Sequence, residues 1–67
     1  MHLRRKIDLR MDMVQRAMET NHHLDNKEAV LELIDSVSKF WSVLSEEDRD
    51  YIHCARDAVE EERKWNV

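Results

Sequence analysis

Sixty-seven residues form one domain at most, and a chain this small buries only about 60% of the surface its unfolded form exposes, which leaves a lone monomer marginal in stability. A single cysteine, Cys54, excludes an internal disulfide, while the absence of glycine and proline excludes a Gly-rich phosphate loop and argues against a turn-rich β fold. With 39% charged residues, a net charge of −4 and no apolar run near the ~20 residues of a bilayer span, the chain reads as soluble.

The first predicted element is a helix over about residues 3–20. Leu3, Ile7, Met11, Val14 and Met18 recur at steps of four and three, which places them on one helical face. Arg4 with Asp8, and Asp12 with Arg16, are opposite charges one turn apart. Leu9 and Met13 lie off the apolar stripe, also one turn apart, and mark a second apolar patch. Arg4, Arg5, Lys6 and Arg10 form a basic cluster suited to phosphate or to an acidic partner, and no apolar core of a secretory signal follows them. The expected location is therefore cytoplasmic.

Thr20-Asn21-His22-His23-Leu24 interrupts the pattern. Asn21 is the residue best able to replace glycine at a left-handed helix end, and His22 and His23 read as exposed loop histidines. Asp25 with Glu28 then resembles a capping box, so a second helix is expected over about 26–43. Val30, Leu33, Ile34, Val37, Phe40, Trp41 and Leu44 form its apolar stripe, the richest in the chain. Asp35 and Lys39 pair one turn apart on its polar face.

Ser45 followed by Glu46, Glu47 and Asp48 is a serine cap before an acidic first turn, the arrangement a helix dipole favours. It predicts a third helix over about 46–64, with Tyr51, Ile52, Ala55, Ala58, Val59 and Trp65 inward. Arg56–Glu60 and Glu60–Lys64 are expected pairs on its outside. Cys54 reads as a small, half-buried packing residue. The third stripe is built from small residues, whereas Phe40 and Trp41 occupy both edges of the second. The second helix therefore presents more apolar face than the chain obviously covers, and a second copy or another protein is expected over it.

These features give an all-α domain spanning residues 1–67, a small three-helix bundle that oligomerises. The expected function is non-enzymatic: a protein–protein interaction or regulatory module acting as a homo-oligomer or on a larger partner. Leu9, Met13, Phe40, Trp41 and Trp65 are its candidate interface residues, aromatics being enriched in interface cores. The alternative is a nucleic-acid-associated regulator using Arg4, Arg5, Lys6 and Arg10. Charge is split in a way that disfavours it. Residues 1–20 carry +2 (five basic against three acidic), while residues 21–67 carry −6 (six basic against twelve acidic). A third possibility is a metal-dependent catalyst at a symmetric interface, built from His53, Asp50 and Asp57 on one helical face. No single-chain motif supplies the three or four convergent ligands a metal needs, so no metal, cofactor, membrane or small-molecule substrate is expected.

The stretch F-W-S-V-L-S-E-E-D-R-D-Y-I, together with the small size and lack of glycine, resembles short uncharacterised all-helical accessory proteins of bacteriophages, cyanophages among them. The resemblance extends over about residues 40–66. It implies a small accessory protein that acts by binding in a host cytoplasm, and it assigns no residue a role.

Overall fold

Two breaks expected from the sequence set the architecture of the computed structural model, which describes residues 3–65. Asn21 adopts the left-handed conformation (φ 55°, ψ 34°), where asparagine is tolerated better than most residues. It ends the first helix, and its N–H is bonded to the Met18 carbonyl at 2.9 Å. Ser45 caps the last helix, its Oγ accepting from the Asp48 N–H at 3.1 Å. The elements are α1 (Leu3–Glu19), a one-turn α2 (His22–Asp25), α3 (Lys27–Ser38), a 3-10 turn (Trp41–Val43) and α4 (Glu46–Glu60). Among the described residues there is no strand, and the chain is a small all-α bundle.

Three boundaries differ from expectation, each for a local reason. The cap of α3 is Asn26 rather than Asp25, because Asn26 Oδ1 accepts from the Ala29 N–H at 3.2 Å while residues 22–25 wind into α2. α3 stops at Ser38 rather than near residue 43. The hydroxyls of Ser36 and Ser38 bond back to the Leu33 and Ile34 carbonyls, an alternative to helix propagation. Beyond them, Arg49 donates from Nε to the Trp41 carbonyl (2.9 Å) and from a terminal nitrogen to the Ser42 carbonyl (3.2 Å), satisfying groups that a continuing helix would have paired. α4 stops at Glu60 rather than Lys64. Glu62 takes the left-handed position (φ 55°), the Glu62 N–H reaches the Val59 carbonyl and the Arg63 N–H the Ala58 carbonyl. That is the double closure of a Schellman end, with glutamate where glycine is usual.

α3 is the centre. α1 packs on it from one side and α4 from another, and Val30, Ile34 and Val37 are fully buried. Ile7, Met11, Val14 and Met18 of α1 and Ile52, Ala55, Ala58 and Val59 of α4 complete the core. Each large apolar side chain buried there contributes roughly 1.5–3 kcal/mol. Leu3, expected in the α1 stripe, is half exposed at the first turn. The 17 residues of α1 are about 25 Å long in a molecule whose longest extent is 33 Å, and the radius of gyration of 11.3 Å is close to the ~11 Å of a compact chain of this length.

Much of the apolar stripe expected of the second helix is covered within the chain. Leu33, Phe40, Tyr51 and Trp65 pack half-buried against the core, and Leu44 is buried in the corner after the 3-10 turn. The break at Ser38 takes Trp41 out of the stripe, and Trp41 alone of the two edge aromatics faces solvent. The i,i+4 pairs on α1 form as expected, Arg4–Asp8 and Arg16–Asp12 both at 3.4 Å. The expected pairs of Asp35 and Arg56 within their own helices give way to one bridge between helices: Arg56 reaches Asp35 at 2.8 Å and the Ser38 hydroxyl at 3.1 Å, tying α4 to α3.

Candidate functional site

Two regions concentrate polar geometry, and they do different things. The first is a clasp that folds the C-terminal segment back on the α1–α3 turn. His23 is the one buried polar side chain among the described residues, 1% exposed rather than the exposed loop residue expected. Its Nε2–H donates to the Arg63 carbonyl at 2.6 Å across forty positions of sequence, which sets the proton on Nε2. Nδ1 is buried without a partner. Asn21 Oδ1 accepts from the Trp65 N–H at 2.8 Å, and Lys27 Nζ donates to the Glu60 carbonyl at 3.3 Å. The Trp65 ring then rests on Tyr51, centroids 5.3 Å apart and tilted by 55°, a favourable aromatic geometry. Burial of the Tyr51 hydroxyl, which lacks a partner, pushes its pKa above 10.0, with Glu19 adding to the shift. His22, by contrast, is exposed.

Outside the clasp, α4 and the returning segment border a shallow groove of about 400 Å³ that includes His53, Cys54, Asp57, Lys64 and Trp65. Cys54 is exposed there, not half-buried. Arg63 spans the groove to Asp57 and Glu61, hydrogen bonds that raise its pKa further, Glu61 first. Asp57 is therefore engaged, and no group of three or more His, Cys, Asp or Glu among the described residues can hold a metal ion. His53 and Cys54 are successive on a helix, turned apart by about 100°, and no hydrogen bond joins them. The groove presents no nucleophile–base pair.

The second region is surface. Leu9 (60% exposed) and Met13 (51%) stand together on the outer face of α1, and Trp41 (42%) and Val43 (49%) on the α3–α4 corner. Trp41 is held: the Arg49 guanidinium lies 5.8 Å from its ring centroid, a cation–π contact, while the same guanidinium fixes the backbone of the 3-10 turn. Of the expected interface residues, Leu9, Met13 and Trp41 lie on the surface, whereas Phe40 and Trp65 are half-buried against the core. The expected phosphate contacts do not share a face. Lys6 and Arg10 are one turn apart, but Arg4 and Arg5 point away from them, Arg4 is tied to Asp8, and Arg10 is partly buried with its Nε unpartnered.

No helix among the described residues is long and apolar enough to cross a membrane. No protein-family model matches the chain, and neither does a curated protein or a solved structure.

Proposed function

We propose that the chain is a small non-enzymatic protein–protein interaction module, and that Leu9 and Met13 on α1 and Trp41 at the corner are its contact residues. The observation that carries this reading is Trp41: a large aromatic left in solvent although the core is closed, and fixed by Arg49 rather than free to collapse onto the surface. Interface hot spots favour aromatic anchors of this kind, and an anchor ordered beforehand loses less entropy on binding. Single exposed apolar residues are ordinary; a tryptophan held in place by Arg49, together with a Leu–Met pair one turn apart on α1, is a stronger signal. The location that goes with this reading is the cytoplasm, that of a host cell if the resemblance to phage accessory proteins holds.

The test is cross-linked affinity capture from the source cell with the full chain and with the L9S/M13S/W41S variant. A protein, this chain itself or another, retained by the wild type and lost from a variant of unchanged helicity supports the reading. The same set retained by both removes it.

A further inference from the structure

The two exposed apolar patches differ in the charge that surrounds them. One turn before and after Leu9 and Met13, α1 carries Arg5, Lys6, Arg10 and Arg16 against Asp8 and Asp12, and both acids are already paired, Asp8 with Arg4 and Asp12 with Arg16. Arg5, Lys6 and Arg16 are exposed, and Arg10 is partly buried. In the chain next to Trp41 and Val43 the balance is reversed: Glu46, Glu47 and Asp48 in the first turn of α4, and Asp50 after them, stand against Lys39 and Arg49. Arg49 is already committed to the Trp41 ring and to two carbonyls. One patch is therefore an exposed Leu–Met pair with a basic excess beside it, the other a tryptophan held by Arg49 with an acidic excess beside it.

We infer that these are the two halves of one interface, and that the occupant of each is a second copy of this chain. The inference rests on the binding-module reading above and names its partner. Methionine adapts to an irregular surface and its sulfur packs favourably against aromatic rings, so Met13 of one copy is suited to the Trp41 ring of the next. Opposite rims attract across the contact and disfavour the like pairings of α1 on α1 or corner on corner. The two unlike halves can pair reciprocally about a two-fold axis, an isologous dimer, or head to tail, a heterologous contact that closes as a ring or otherwise propagates. Salt weakens it, since the rims are exposed.

Sedimentation of three full-length proteins tests this: the wild type, R5E/K6E/R16E and E46K/E47K, each checked for helicity. At low salt and high micromolar concentration the wild type is expected above the 8.1 kDa chain mass, and each variant alone at that mass. An equimolar mixture of the two variants, in which the two reversed rims complement each other and the two native rims do the same, is expected to regain at least twice that mass. Reversal at Glu46 and Glu47 also opposes the α4 dipole. If that variant melts early, W41S replaces it and L9S/M13S replaces the α1 variant, their mixture restoring one intact contact. A monomeric wild type, variants that associate as the wild type does, or folded variants that stay monomeric when mixed each overturn the inference. A monomeric wild type that still captures a different protein through Trp41 overturns the second-copy partner alone and leaves the binding-module reading standing.

Discussion

Replacing His23 separates packing from hydrogen bonding in the clasp. The imidazole is 1% exposed and gives one hydrogen bond, to the Arg63 carbonyl. His23→Ala removes a buried ring, and truncations of comparable buried side chains cost about 2–5 kcal/mol. The lost hydrogen bond adds roughly 1 kcal/mol. A chain of this length has about 3–10 kcal/mol in total, so the alanine variant is expected to lose a third or more of its stability. His23→Leu keeps most of the volume and removes the unpartnered Nδ1. The Arg63 carbonyl belongs to an exposed residue and can turn to water. The leucine variant is therefore expected to lose only about 1 kcal/mol, a fall in Tm of roughly 4–8 °C for a domain this size. Urea titration and thermal circular dichroism of both variants measure the difference. An alanine variant within about 0.5 kcal/mol of the wild type, or a leucine variant worse than the alanine one, refutes the packing argument.

Glu62→Gly removes a left-handed glutamate, which costs on the order of 1 kcal/mol, and gives up the exposed 3.8 Å pair with Lys27, worth less; the variant is expected to melt a few degrees higher, and a lower Tm contradicts the Schellman assignment. Tyr51→Phe removes a buried hydroxyl without a partner and is expected to be neutral or up to about 1 kcal/mol more stable at neutral pH. Because the Tyr51 pKa is raised above 10.0 on folding, the native state holds that proton longer than the unfolded chain. Its contribution is complete below pH 10 and is lost as pH rises toward the folded pKa, so denaturant titrations above pH 10 should show a steeper decline in the wild type than in Tyr51→Phe, and parallel curves refute the assignment. Ser45→Ala removes the α4 cap seen at 3.1 Å and should cost about 1 kcal/mol, checked by the same titration.

The break at Asn21 and the start at Ser45 are legible in the sequence because their causes are local. Asn21 and Ser45 act on groups within three residues of themselves, and the apolar steps of α1 and α4 identify most of the core. What sequence reading misses is set by partners far along the chain. Nothing in the pattern His22-His23 distinguishes the exposed ring from the buried one, since the second is fixed by a carbonyl forty residues away. Trp41 continues the helical spacing of α3, and only Arg49, eight residues on, shows why the helix has already ended. The end of α4 did leave a local signal: the run Glu60-Glu61-Glu62 opposes the dipole at a helix C-terminus. Of the surface patches, Leu9 and Met13 are visible as an off-stripe pair, but the acidic rim of the corner appears only once Trp41 and the first turn of α4 are seen side by side.

The central claim, that Trp41 is a contact residue covered by a second copy, is tested most directly by its own fluorescence. Trp65→Phe keeps an aromatic ring against Tyr51 and leaves Trp41 as the sole tryptophan. At low salt the emission maximum is expected to move to shorter wavelength as protein concentration rises, and to return when salt is added or R5E/K6E/R16E is introduced. An emission maximum that stays that of an exposed indole over the whole concentration range contradicts the account.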